Sequence, residues 1–210
     1  MSQTVDPEDV KRKLRFDYMK ARNEVNFKSL DMFTSLLAHF DKPRISLRDM
    51  IQEATQVIHK QCHLRWVSIG LKSETDGKYR YEAHTGMRDE AWKGQSSAVY
   101  NYEDFDMTSK HIGSEISNLT RVYLEEDNPL AKEDEVLANR PGLLKLRRRV
   151  VEDVLEADFI DTLIVGPNRD LLGWIEYPGT ITGKFPDSLT IRQIEVVASI
   201  IAAAIRSGAR

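Results

Sequence analysis

The segment from 158 to 208 constrains the fold more than any other, because it divides without a gap into strand, turn, strand, polar loop and closing helix. Ile160, Leu163, Ile164 and Val165 belong to a short, nearly all-apolar run rich in β-branched residues. Such a run is too brief for a stable helix and predicts a strand covered on both faces. Pro167-Asn168-Arg169-Asp170 then supplies turn chemistry. The partner strand runs from Leu171 to Pro178, and alternation about Gly173 puts Leu172 and Trp174 on one face and Leu171, Ile175 and Tyr177 on the other. The expectation is an antiparallel central hairpin, and a parallel pair joined by a crossover would overturn it.

The helix that follows can be capped by Asp187, Ser188 or Thr190, and Thr190 with Gln193 has capping-box spacing. Ile191, Ile194, Ala198, Ile201 and Ile205 form one apolar row, and Val197, Ile200 and Ala204 form a second beside it. Two apolar faces require two partners. One is the sheet, and the other is a helix from the N-terminal part of the chain or from a second copy.

Four stretches in this order resemble the C-terminal half of a GAF domain: Asp161-Thr-Leu-Ile-Val-Gly-Pro, the strand Leu172-Gly173-Trp174-Ile175-Glu176, the loop through Gly183 and Pro186, and Ile194-Glu195 with Ala198 and Ala202 to Ile205. Gly166 departs from the pattern, standing where an apolar or proline residue is usual. The resemblance implies an α+β, PAS- and profilin-like fold: a central antiparallel sheet of five or six strands, helices on both faces and a long N-terminal helix. It further implies that the first, second and last helices share one face and that a small-molecule cavity occupies the other. It divides the chain into a basic helical extension, 1–23, and a GAF-like domain, 24–207.

A length of 210 residues suits one sizeable core, and the formal charge of −3 argues against a globally basic nucleic-acid binder. The single cysteine, Cys62, cannot form an internal disulfide, and the N-terminus carries no apolar signal core. With no stretch read as an uninterrupted membrane span, the expectation is a cytoplasmic protein without a membrane partner. The sequon Asn118-Leu119-Thr120 then reads as a chance match.

Residues 8–40 read as helical, with Leu14, Tyr18, Ala21, Val25, Met32 and Leu36 in one row and Leu30, Phe33, Leu37 and Phe40 in its neighbour. Lys11, Arg12, Lys13, Arg15, Lys20 and Arg22 make its start basic, which reads as a solvated face tempered by Asp9, Asp17 and Glu24 rather than as a phosphate site. Ser46 with Asp49 opens a second helix on Leu47, Ile51, Ala54 and Ile58. A strand from Leu64 to Leu71, the Asp76-Gly77 turn and a return strand with Tyr79, Tyr81 and Ala83 on one face follow. Beyond them, a helix is expected from Asp89 to Tyr100, a loop around 102–108, a third strand within 116–124, and a helix from Leu143 to Leu155 with Lys145, Arg147, Arg148 and Arg149 on its outer side. The resemblance implies that this middle segment covers the cavity.

Few catalytic patterns survive inspection. His59 and His63 share a helical face only if the helix continues, and Lys60 stands where a metalloprotease needs glutamate, so helix-end packing is preferred over a metal. Gly179 to Phe185 imitates a phosphate loop but lacks a residue between its glycines and the Ser or Thr that holds magnesium. Some GAF-like proteins reduce free methionine sulfoxide through several cysteines. One thiol cannot resolve its own oxidised form, which disfavours that enzyme here.

Other relatives bind cyclic nucleotides, haem or linear tetrapyrroles. The cyclic-nucleotide constellation is not visible, Cys62 precedes the first strand where a tetrapyrrole thiol is not expected, and His111 is the one candidate for a haem axial ligand. No cofactor is named by these residues. Tyr100, Tyr102, His111, Tyr123 and Trp174 are the candidate ligand-binding residues, combining apolar contact with a directional hydrogen bond. The reading is a non-enzymatic sensor module that binds a small molecule, forms a homodimer through its terminal helices and passes its signal to a downstream protein. The alternatives are a small GAF-fold enzyme and a structural dimerisation module whose pocket has collapsed.

Overall fold

The computed structural model describes residues 25–38, 46–106, 110–144 and 146–208, with side chains from position 30 onward. The expected extension at 1–23 and the apolar row through Leu14, Tyr18 and Ala21 lie outside the described residues. The elements are α1 (Val25–Leu37), α2 (Leu47–Gln61), β1 (Val67–Lys72), β2 (Tyr79–Thr85), α3 (Asp89–Ser96), β3 (Gly113–Glu115), β4 (Thr120–Tyr123), β5 (Phe159–Val165), β6 (Leu171–Tyr177) and α4 (Ser188–Arg206). The six strands form one sheet in the order β2-β1-β6-β5-β4-β3. Every neighbouring pair is antiparallel, so the β5–β6 hairpin stands as expected at its centre. At its turn the Gly166 N–H donates to the Asp170 carbonyl at 2.8 Å, and Arg169 takes the left-handed φ of 61°.

Two bulges change which side chains meet. Val165 pairs with Leu171 and Ile164 with Gly173, so Leu172 is an extra residue and the alternation reverses across it. Leu171 therefore joins Trp174 in the cluster under the cavity, while Leu172 packs on the helix side with Ile175 and Tyr177. This corrects the assignment from simple alternation. Glu82 is likewise extra in β2, because Gly70 pairs with Tyr81 and Ile69 with Ala83. Tyr79 and Tyr81 join Leu171 and Trp174 on the sheet face away from the helices, whereas Ala83 faces the helices.

The main core lies between the sheet and α1, α2 and α4, built on Met32, Leu36, Ile51, Ile58, Ile69, Ile160, Ile164, Ile175, Ile194 and Ile201. Ser46 caps α2 by accepting from the Asp49 N–H at 3.1 Å while donating to its carboxylate at 2.7 Å. Of the three possible caps for α4, Asp187 serves, accepting from the Thr190 N–H at 2.7 Å. By length and composition α4 is apolar enough to cross a membrane, yet its apolar rows are buried against β5, α1 and α2. Its second face is thus met by helices of the same chain. Glu195 on α4 accepts from the Thr120 hydroxyl at 3.0 Å, from Arg192 at 2.7 Å and from the Ser117 hydroxyl, pinning the helix to the start of β4.

The middle segment differs from expectation. The helix expected from Leu143 to Leu155 is absent: a short 3₁₀ turn at Pro141–Leu143 is followed by irregular chain. Arg148 is drawn inward to the buried Asp158 at 3.0 Å instead of lying on an outer helical face, and Lys145 lies outside the described residues. The first strand begins at Val67, α3 stops at Ser96, and the short edge strand β3 precedes the expected third strand.

Candidate functional site

Alternation places the charged residues of β5 and β6 on the sheet face away from the helices. Asp161 pairs with Glu176 across the central hairpin, Arg121 of β4 flanks Asp161, and Ser68 of β1 flanks Glu176 with His84 of β2 beyond. One polar row therefore crosses four strand junctions on an otherwise apolar face. Glu176 is 8% exposed and accepts from the Tyr81 hydroxyl at 2.6 Å and the Gln95 amide at 2.5 Å. Burial, opposed by those hydrogen bonds, lifts its carboxyl from an ordinary 4.5 to about 7. Asp161, 7% exposed, is raised well above the carboxylate range by burial and by Glu176, against the pull of Arg121. Its Oδ1 has no hydrogen-bond partner among the described residues, nor do Ser68 Oγ, His84 Nδ1 and Gln95 Oε1. Buried polar atoms left in this way cost stability unless something else meets them.

Above this row opens a cavity of about 830 Å³, roofed by α3 and the segments on either side of β3 and β4. Trp174 lies on its floor with Tyr81, Phe105 and Tyr100 around it, at ring-centroid distances of 4.8, 5.0 and 5.6 Å. At the other end Tyr123 and Phe159 stack at 4.5 Å, with His111 edge-on to both. Burial pushes the Tyr123 hydroxyl up to about 12 and His111 downward, so both are neutral near pH 7.

Apart from α3 and short 3₁₀ turns the roof is irregular chain, and it is held by arginines on the buried carboxylates Asp158 and Glu156. Asp158 accepts from the backbone of Glu125 at 2.8 Å and Leu155 at 2.7 Å, and from Arg148, which also grips Glu126 at 2.7 Å. Glu156 takes the Arg140 backbone at 2.6 Å and guanidinium at 2.9 Å, with Arg65 at 3.4 Å. Asp158→Asn keeps the shape but removes one acceptor and the charge from this knot. It should cost about 2 kcal/mol in chemical denaturation, the worth of a hydrogen bond to a charged group, while a surface control such as Glu133→Gln stays within ~0.5 kcal/mol.

This arrangement of sheet and helices recurs in solved structures. The GAF domain of a phosphoenolpyruvate-protein phosphotransferase from Coxiella burnetii superposes with a TM-score of 0.52 at 16% identity, over 88% of this chain and 98% of that one. The GAF domain of the Acinetobacter phosphotransferase gives 0.52 at 10% identity over 85% and 92%. A GAF domain/HD domain protein of Geobacter sulfurreducens gives 0.54 at 10% identity over 79% and 95%. The fold is that of a GAF domain. No protein-family profile and no curated protein sequence matches the chain.

Within the GAF fold, four of the five residues singled out in the sequence, Tyr100, His111, Tyr123 and Trp174, line the cavity together. Tyr102 does not: it is 62% exposed at the head of a 3₁₀ turn, and Phe105 of the same turn takes the place against Trp174. A ring without a hydroxyl fills that apolar position without leaving a polar group unmet. His59 and His63 do not share a helical face, because α2 ends at Gln61 and His63 turns to a φ of 51°. No group of three or more His, Cys, Asp or Glu side chains that could hold a metal occurs among the described residues. Sequence reasoning missed Asp161, Glu176, Tyr81 and Gln95. The available signal was a carboxylate inside each of two strands whose neighbours are apolar on both faces.

Proposed function

We propose that residues 24–207 form a sensor module that binds a small molecule in the cavity over the sheet and acts as a homodimer through its terminal helices. The observation that carries this reading is the open cavity with Asp161 on its floor, the Oδ1 of which has no hydrogen-bond partner among the described residues. A structural module would have filled that space with Trp174 and the tyrosines, which instead form the floor and walls. The thiol chemistry of a sulfoxide reductase finds no support, since Cys62 is buried in the helix-side core with its thiol pushed up to about 12 by burial and Asp187. A buried thiol also suits the reducing cytoplasm. The raised carboxylate pair favours one second reading, a proton-transfer enzyme, which would return a bound compound altered rather than intact.

Leu30 and Leu37 of α1 and Leu189 of α4 support the dimer, being 55%, 50% and 47% exposed. Ligand occupancy would bias the packing of these helices and so reach a partner protein. Native mass spectrometry of freshly purified protein tests both parts. The expected spectrum is a dimer with a retained small molecule, reduced to monomer by Leu30→Glu with Leu37→Glu. A wild-type monomer at all micromolar concentrations would refute the dimer without touching the cavity.

A further inference from the structure

We propose that the ligand is an organic cation, an ammonium or amidinium carried on an aromatic or apolar body, with its charged head on Asp161 and Glu176 and its body among Tyr100, Phe105 and Trp174. The inference deepens the sensor reading and rests on it. The floor presents two adjacent carboxylates whose direct partners are neutral: Tyr81 and Gln95 on Glu176, and nothing on Asp161 Oδ1 among the described residues. Arg121, the nearest cation along the sheet, forms no ion pair with Asp161 and donates from Nη1 to the Phe105 carbonyl. A site built in this way can take one positive group where Asp161 lines the cavity.

The walls suit the same occupant. Aromatic faces carry negative potential and attract cations within about 6 Å of the ring centroid. Lys110 shows this at the mouth, its Nζ 4.7 Å from the centre of the Tyr100 ring. The rim adds Asp104, Asp127 and Asp134, while the lining carboxylates Glu156 and Asp158 are committed to arginines. An anionic ligand such as a phosphate ester would meet Lys110 as the one lysine or arginine lining the cavity among the described residues, and two buried carboxylates beneath it. A bare metal ion would leave the aromatic walls unused.

Three compounds sharing one phenolic body test the charge directly: tyramine, its neutral alcohol tyrosol, and 4-hydroxyphenylacetate, with calcium and magnesium chlorides alone as further arms. Thermal unfolding of the full chain at pH 7.5 should rise with tyramine by about 3 °C at tenfold excess over its Kd, and not with the others. Asp161→Asn and Glu176→Gln should each abolish the shift while remaining folded. A shift with tyrosol, the carboxylate or a metal salt, or a shift with tyramine that survives in both variants, overturns the cationic reading and leaves a ligand-binding cavity standing. No shift with any compound, together with no retained molecule in native mass spectra, overturns both.

Discussion

Gly70→Ala is expected to lower the unfolding midpoint by about 10 °C and to shift tryptophan emission to the red. Gly70 lies opposite Trp174 across β1 and β6, and the indole rests directly on its backbone. A methyl group there would sit 2.1 Å from Cη2 and 2.4 Å from Cζ2 and Cζ3 of the ring. The ring is 2% exposed and hemmed in by Tyr81 and Phe105, so it cannot slide aside in its plane. Either the indole leaves the floor or the strands part, at a cost of about 3 kcal/mol, between overpacking and loss of a large core side chain. In a domain of this length each kcal/mol moves the midpoint by about 2–4 °C. Gly77→Ala is the control: its φ of 71° strains alanine, but the nearest side-chain atom is 4.0 Å away. That change should cost about 1 kcal/mol and leave emission untouched. Equal behaviour of the two variants would show that Trp174 does not rest on Gly70.

The same packing separates what the sequence reveals from what it conceals. The hairpin at 160–178 is legible because apolar β-branched runs flank a turn of Pro, Asn and Asp, each a local signal. The bulges at Glu82 and Leu172 are not: Glu82 continues a regular alternation of apolar and polar residues, and Leu172 lies in a strand with apolar residues on both faces, so neither breaks the pattern. The roof escapes for a different reason: Arg148 finds Glu126 and Asp158, and Arg65 finds Glu156, across separations that carry no periodicity. A basic run such as Arg147-Arg148-Arg149 looks like a solvated helix face until one knows that a buried carboxylate awaits its middle member. Of the candidate site, the aromatic residues are legible as types suited to a cavity. The carboxylates were in view, inside the two strands that carry the family resemblance, but their meaning depends on which face they occupy.

Stability should fall as pH rises through neutrality, and neutral replacements on the cavity floor should remove that fall. Glu176 titrates near 4.5 when unfolded and at about 7 when folded. A raised folded value means that the protonated form is the one folding favours, so the contribution is complete below about 4.5 and is lost as pH climbs through 7. The difference corresponds to about 3 kcal/mol for Glu176, and Asp161 acts in the same direction. Among the described residues the groups facing the pair are Ser68 of β1, Tyr81 of β2, Gln95 of α3, Tyr100, Arg121 and Tyr123 of β4 and Trp174 of β6, of which Arg121 alone is cationic and opposes the effect. Glu176→Gln retains the bond from Tyr81, and rotation of the Gln95 amide would offer its idle Oε1 to the new donor. The midpoints of Glu176→Gln and wild type should coincide near pH 4.5 and diverge by about 6–12 °C at pH 8, with the variant the more stable; Asp161→Asn should diverge in the same sense. A gap that does not change with pH, or variants weaker than wild type at pH 8, would show that the pair is satisfied as it stands. If the gap opens, two carboxyl groups whose ionisation lowers the stability of the unliganded fold line the cavity, and a cation of the kind proposed above would supply the interaction that the protein itself omits.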